Sequence, residues 1–240
     1  MKKLLLLLLF VPLISSAQFK DLLKKTTDKA TAISSSNSGL DIAAGLKEAL
    51  NKGVTEQVSK LTQADGFYKN EAVKILMPEE LIKVDQTLRK MGMSSLADDG
   101  IKALNRAAED AVKEATPIFV SAIKNMSITD AKSILLGADN SATNYLQTST
   151  TTALYAKFSP VVQTSIGKVN ADVIWGNIIT KYNTLPFVSK VNPDITDYVT
   201  NKALDGVFKM ITVEEKSIRG NLNARTSDVL KKVFALQDKK

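Results

Sequence analysis

Apolar side chains recur at helical spacing almost everywhere from residue 40 to the C-terminus. The clearest stripe runs through Ile42, Leu46, Leu50, Val54, Val58 and Leu61. No run with the alternation of a half-buried strand is longer than four residues. We therefore expect an all-α fold, in which residues 40–240 form a single multi-helix domain of about nine helices.

Prolines and capping residues divide this pattern into separate helices. We expect Pro117 to interrupt one helix and Pro160 to begin a new segment, because proline lacks the N–H that a helix interior uses. Residues 171–182 are helical in pattern and residues 183–193 are predicted to form a loop. Asp194 or Thr196 is expected to cap the long helix that follows.

The first 17 residues have the layout of a secretory signal peptide. A basic start at Lys2 and Lys3 precedes an apolar run over residues 4–14, and Ala17 provides a small residue before cleavage at Gln18. The apolar run is too short to span a hydrocarbon layer of about 30 Å. We therefore expect an exported protein, either periplasmic or secreted.

Residues 18–39 are predicted to be a basic amphipathic segment followed by a Ser-rich linker. Over residues 18–33, apolar side chains at helical spacing are interleaved with four lysines. One interpretation is weak contact with an anionic membrane surface. The other is a frayed terminal helix that docks loosely on the domain.

The sequence contains neither His nor Cys, which excludes several kinds of site. There is no disulfide, thiol nucleophile or thiolate metal site, and there is no Ser-His-Asp triad or imidazole ligand. We expect no metal and no cofactor. The formal charge of +7 falls to +5 when the two leader lysines are removed, and four of the remaining lysines lie in residues 18–33, so the folded domain is close to neutral. In a cell envelope, moreover, the anionic partners are phospholipid and polysaccharide, and nucleic acid is not an expected partner.

One candidate polar cluster lies in the stretch from Leu104 to Glu109. Asn105 and Glu109 are four residues apart and share a helix face, with Arg106 in the same turn. Nearby alanines would let another helix approach closely. The cluster is interpreted either as a structural hydrogen-bond network or as a polar site, with Glu109 as acid or base and Arg106 holding an anion.

A second candidate cluster lies near the C-terminus. Glu215 and Arg219 have i,i+4 spacing, which predicts a surface pair worth about 0.3–0.5 kcal/mol. Arg225 stands near the start of the last predicted helix, where a cation opposes the helix dipole. We expect Glu214 or Glu109 to compensate that charge.

Tyr145 completes the candidate residues. It ends the stretch Ala142-Thr143-Asn144-Tyr145 and precedes a run of hydroxyl residues over positions 148–152. Hydroxyls within a helix can bond to its own carbonyls and let helices pack closely. With His absent, a Ser or Thr nucleophile would need a Lys or carboxylate base, and no persuasive context for one is present.

These stretches resemble an uncharacterised bacterial family, known as the domain of unknown function 4197 family. The matching segments are Gly45–Leu50, Asp65–Tyr68, Leu104–Glu109, Ala142–Tyr145, Asp205–Phe208, Glu214–Glu215, Ile218–Arg219, Ala224–Thr226 and Val233–Phe234. Ser141 stands where the family tends to have Ala. The resemblance implies an exported, mostly helical domain, and it implies no activity and no catalytic residues.

These observations favour a non-enzymatic, exported helical protein of the cell envelope. It would act as a binding or structural module for an envelope protein or lipid. The alternative is a hydrophobic-ligand or lipid-binding protein, since helical domains can enclose apolar cavities. A third hypothesis is a carboxylate-dependent glycan hydrolase, which would need two carboxylates about 5–9 Å apart in an open cleft. The residues to test are Asn105, Arg106, Glu109, Tyr145, Glu215, Arg219 and Arg225.

Overall fold

The computed structural model of the protein describes residues 42–168 and 194–238, together with residue 39 and scattered positions between 172 and 192. Every regular element within these residues is helical, and they contain no strand. The all-α prediction is therefore confirmed. The signal peptide and the amphipathic segment lie outside the described residues, and the predicted helix over 171–182 and loop over 183–193 lie largely outside them.

Helix α1 covers residues 42–61. After a 3₁₀ turn at Glu79–Leu81 come α2 (Ile82–Lys90), α3 (Ser94–Val112), α4 (Ala115–Asn125), α5 (Ile128–Leu135) and α6 (Ser141–Gly167). The C-terminal part contains α7 (Ile195–Gly220), a 3₁₀ turn at Leu222–Ala224, and α8 (Asp228–Phe234). Seven helices, α2 to α8, begin and end within the described residues, and this part of the chain therefore contains fewer complete helices than the expected number of about nine.

The predicted break at Pro160 is one reason for the lower count. Helix α6 runs through Pro160 as a single helix of 27 residues. A proline in a helix interior costs about 3 kcal/mol. However, Leu154, Phe158, Val162 and Ile166 are all fully buried along one face of α6. Each buried side chain contributes about 1.5–3 kcal/mol, so burial across the proline outweighs its cost.

Other helix ends agree with the sequence. Pro117 lies in the first turn of α4, where its missing N–H has no helical acceptor in any case. Asp194 caps α7, because its carboxylate accepts a hydrogen bond of 2.8 Å from the backbone N–H of Thr196. Gly92, which follows α2, has a φ of 75°, a conformation that favours glycine.

The core consists of two groups of buried side chains. The larger lies where α3, α6 and α7 pack against one another, and the rings of Phe119 and Phe208 meet there edge to face at 5.9 Å. The smaller joins α1, α5, α8 and the adjoining ends of α6 and α7 through Leu46, Ile134 and Phe234. Helices α6 and α7 therefore contribute to both groups and hold the two parts of the core together.

Gly206 allows the segment after α1 to pack against the middle of α7. The ring of Phe67 is fully buried, and a Cβ added to Gly206 would come within 2.6 Å of its Cε1 atom. Glycine is about 1 kcal/mol less favourable than alanine in a helix interior. The close approach of the Phe67 ring therefore explains why glycine occupies this position.

We expect Gly206→Ala to destabilise the protein by about 1–3 kcal/mol, because overpacking outweighs the gain in helix propensity. The matched control is Gly167→Ala at the last residue of α6, where an added Cβ meets nothing within 4 Å. That variant should be neutral or slightly stabilised. Urea unfolding measures both variants, and equal stability of the two would contradict this role for Gly206.

Candidate functional site

The structure places the predicted polar residues in two separate clusters rather than in one site. The α3 cluster consists of Asn105, Arg106 and Glu109, and the α7 cluster consists of Glu215, Arg219 and Arg225. All of these residues except Arg106 are at most 6% exposed. The seventh candidate, Tyr145, lies on α6 and is half-buried.

Asn105 joins α3 to the non-helical segment at residues 74–78. Its Oδ1 accepts a hydrogen bond from the N–H of Ile75, and its Nδ2 donates one to the Ile75 carbonyl, both at 2.8 Å. Nδ2 also donates to the carbonyl of Ile101 at 2.8 Å. Buried backbone groups need such partners. The Asn105 amide therefore supplies the bonds that a neighbouring strand would otherwise provide.

Glu109 holds the turn that follows α1. Its Oε1 accepts hydrogen bonds from the backbone N–H groups of Phe67, at 3.1 Å, and Tyr68, at 3.3 Å. Its Oε2 accepts a hydrogen bond from Arg106. Both carboxylate oxygens thus have internal partners, which favours the structural interpretation of Glu109 over a role as acid or base.

Arg106 is the most exposed member of the α3 cluster, with 35% of its side chain exposed. It donates to Glu109 and to Asp65, and these hydrogen bonds, the one to Glu109 first, raise its pKa. A hydrogen bond from Lys69, with a further contribution from Arg106, lowers the pKa of Asp65. Two carboxylates already face the Arg106 guanidinium, so an added anion would meet no unbalanced positive charge there.

Glu215 and Arg219 form a buried ion pair in the α7 cluster. Arg219 Nη2 lies 2.9 Å from Glu215 Oε1, and the two side chains are only 2% and 5% exposed. The prediction of a modest surface pair is therefore wrong. The i,i+4 spacing correctly indicates the contact, but the burial arises from other helices that pack over this face of α7.

The carboxylate of Glu215 caps the N-terminus of α6. It accepts hydrogen bonds from the N–H of Ala142 at 2.9 Å and from the N–H and hydroxyl of Thr143, each at 2.8 Å. First-turn N–H groups have no acceptor within their own helix, and the helix dipole favours a negative charge there. The N-cap residue Asn140 makes no side-chain cap. Glu215 supplies that cap from 72 residues away.

The guanidinium of Arg219 performs the opposite task at the C-terminus of α5. It donates to the carbonyls of Ile134 at 2.7 Å and Leu135 at 3.1 Å, and also to the side chain of Gln237 at 3.0 Å. The ring of Phe234 lies 5.6 Å from the guanidinium carbon. One ion pair thus satisfies the end of α5 and the beginning of α6.

The charge of Arg225 is compensated, but not by Glu214 or Glu109 as predicted. Its partner is Asp238, at 2.8 Å from Nη2. This pairing raises the pKa of Arg225 and lowers that of Asp238. No helical spacing relates positions 225 and 238, since the chain turns between them, so the sequence pattern did not indicate the pair.

Arg225 also caps the helix that precedes it. Its guanidinium donates to the carbonyls of Ile218 at 2.9 Å and Arg219 at 3.1 Å, near the C-terminal end of α7. A cation is favoured at that end by the helix dipole. The positive charge of Arg225 opposes the dipole at the start of α8, but it is favourable at the C-terminal end of α7.

Tyr145 lies apart from both clusters, in a groove between α4 and α6 that we call the α4–α6 groove. This open groove has a volume of about 660 Å³. Burial, with a smaller effect of Asp130, raises the pKa of Tyr145. The residues that line the groove are Glu114, Pro117, Ile118, Ser121, Ala122, Asn125, Tyr145, Ser149, Thr150, Ala153 and Lys157.

Of the residues that line the groove, only Tyr145 is among the predicted site residues, although Ser149 and Thr150 belong to the hydroxyl run that follows it. On α4 the lining positions 117, 118, 121, 122 and 125 follow helical spacing, and Glu114 immediately precedes the helix. For α4 that spacing is the only signal in the sequence, and it fits a face buried in the core equally well.

Among the described residues, no cluster of three or more Asp or Glu side chains could hold a metal. None of the helices described is long and apolar enough to cross a membrane.

Comparison with known families decides the relationship of this chain. Residues 34–235 match the family described as "Protein of unknown function (DUF4197)". The chain belongs to this family. The resemblance seen in the sequence is thereby confirmed. Two of the matching segments contain Glu109 and Glu215, whose carboxylates accept hydrogen bonds from backbone N–H groups in the interior. No curated protein and no solved structure matches the chain.

We expect Glu215→Gln to destabilise the protein by about 3–5 kcal/mol, since it leaves the buried Arg219 without a counter-charge. The matched control is Glu56→Gln, because Glu56 and Lys60 have the same i,i+4 order but are 50% and 54% exposed. The control should lose less than about 1 kcal/mol. Urea unfolding gives both values, and similarly small losses would show that burial adds nothing to the Glu215 pair.

Proposed function

We propose that this protein is a non-enzymatic binding module exported to the cell envelope, and that the α4–α6 groove receives its ligand. The groove itself carries the proposal. Its volume of about 660 Å³ lies within the range of roughly 300–1,000 Å³ that is usual for ligand sites. Three other open grooves, of about 780, 470 and 300 Å³, lie in the same range. Of the four, the α4–α6 groove is the one lined by an aromatic side chain, that of Tyr145, and such side chains are common in ligand sites. It also lies open between two helices that pack on the main core.

The polar clusters support this proposal through the contacts that they make. The buried guanidinium and carboxylate groups of the α7 cluster bond to helix ends and to one another, so they serve the fold. Glu215 fixes the first turn of α6 at Ala142, three residues before Tyr145. The buried network thus sets the position of one wall of the groove.

A hydrophobic ligand could bind in the same groove, but the core beside it has no room to enclose one. Beside Glu215 and Arg219, between α1 and α7, the core contains a pocket of about 30 Å³. That is roughly the share of liquid volume taken by one water molecule. A lipid could not be enclosed in that pocket, whereas the α4–α6 groove has room for an alkyl chain.

Glycan hydrolysis receives less support from this groove. Glu114 is the one carboxylate among the residues that line it. Retaining and inverting hydrolases both use a pair of carboxyl groups across the scissile bond. The groove therefore lacks the second acidic group that this chemistry needs, and we favour binding without catalysis.

Export is the part of the proposal that rests on residues 1–17. Protein recovered from the periplasm or the medium should begin at Gln18, which an intact mass establishes directly. A folded chain that keeps residues 1–17 and stays in the cytoplasm would contradict export. That result would leave the groove as a binding site in another compartment.

We expect Ala153→Trp to remove ligand binding, because an indole on α6 would fill the α4–α6 groove. Native mass spectrometry of protein purified gently from the cell envelope would compare the occupancy of bound species. The control is Thr55→Trp, which places the same indole at an exposed position of α1. A bound species counts as the ligand only if Thr55→Trp retains it and Ala153→Trp loses it. Equal occupancy in both folded variants would refute the proposal.

A further inference from the structure

We infer that the ligand of the α4–α6 groove is a zwitterionic amphiphile with one alkyl chain, of the chemistry found in a lysophospholipid with an ethanolamine headgroup. This inference rests on the proposed function, because it names the ligand class of the same groove. It follows from two unpaired charges at one end of the groove and from the apolar surface between its ends.

The two charges are Glu114, which immediately precedes α4, and Lys157 on α6. Both side chains are exposed and both line the groove. No ion pair within 4.0 Å joins them, and neither has a side-chain partner among the described residues. In contrast, the buried charges of the α7 cluster all have internal partners. Glu114 and Lys157 are therefore available to a ligand.

The course of the chain places these charges at the same end of the groove. Ser165 donates a hydrogen bond of 3.3 Å to Asp110, so the last turn of α3 lies beside the C-terminal part of α6. Helix α4 begins soon afterwards and runs back along α6 toward Tyr145. The 11 residues of α4 span about 16 Å at 1.5 Å per residue. A charged end and a tyrosine end are thus separated by roughly that distance.

Most of the surface between the two ends is carbon, although the polar side chains of Ser121 and Asn125 also line the groove. Pro117, Ile118 and Ala153 contribute carbon atoms directly. The hydroxyls of Ser149 and Thr150 bond to the carbonyls of residues 145 and 146, at 2.7 Å and 2.6 Å, so they are turned toward the helix backbone. A peptide would bring an N–H and a C=O group with each residue, more groups than the side chains of Ser121 and Asn125 could bond. An alkyl chain needs no such bonds, and we therefore favour it.

The charged end favours a headgroup that carries both signs. The Lys157 ammonium can bond to a phosphate, while the Glu114 carboxylate accepts hydrogen bonds from a ligand ammonium. An anionic headgroup would meet Lys157 favourably but would be repelled by Glu114. A cationic headgroup would be attracted by Glu114 but repelled by Lys157. A zwitterion satisfies both side chains at once.

The test uses the mature chain and three soluble probes that share one acyl chain. They are a lysophosphatidylethanolamine, the anionic lysophosphatidylglycerol and an uncharged detergent, each titrated below its micelle concentration. The wild type should prefer the ethanolamine probe. Lys157→Glu should weaken its binding about tenfold, and Glu114→Lys should shift the preference toward the anionic probe. Lys52→Glu, the same change at an exposed position of α1, should leave binding unchanged.

Several results would overturn the inference. They are equal binding of the three probes, no binding of the ethanolamine probe to the folded wild type, or equal effects of Lys157→Glu and Lys52→Glu. Melting curves of these exposed variants establish that they are folded. If Ala153→Trp blocks all probes while the wild type shows no preference, the groove is a binding site and only the headgroup assignment fails. If Ala153→Trp leaves the binding of every probe unchanged, the proposed function fails as well.

Discussion

The ion pair of Glu215 and Arg219 is the contact on which the arrangement of α5, α6 and α7 depends. Transfer of two charges into a protein interior costs several kcal/mol per ion, and mutual attraction alone often fails to compensate. Here each ion has additional partners of the right sign, because Glu215 faces the N-terminus of α6 and Arg219 faces the C-terminus of α5. The free energy of the pair therefore includes the satisfaction of two helix ends.

The same arrangement recurs elsewhere in the interior. Arg225 bonds to the last carbonyls of α7, and Glu109 bonds to two backbone N–H groups in the turn after α1. In each case a charged side chain completes backbone hydrogen bonds that the local chain leaves open. Glu215, Arg219 and Arg225 thus bond to helix ends, while Asn105 and Glu109 bond to the non-helical backbone between α1 and α2.

The sequence was sufficient for the fold class and for contacts within one helix, but not for contacts between helices. Apolar spacing predicts the helices, and i,i+4 spacing predicts the contact of Glu215 with Arg219. Three other features depend on which segments pack together. They are the burial of the Glu215–Arg219 pair, the continuation of α6 through Pro160 and the partner of Arg225. The groove was missed for the same reason, because the lining face of α4 has the spacing of a core face and only packing shows that it is uncovered.

The most direct test of this account is the free energy of unfolding of the double variant Glu215→Met/Arg219→Met. If the two residues act as caps, removing both charges leaves the N–H groups of Ala142 and Thr143 without acceptors. Each unsatisfied buried group costs about 1–3 kcal/mol, so the double variant should be less stable than the wild type by several kcal/mol. A double variant as stable as the wild type would show that the two charges stabilise each other but add nothing by capping the helix ends, and it would contradict the account.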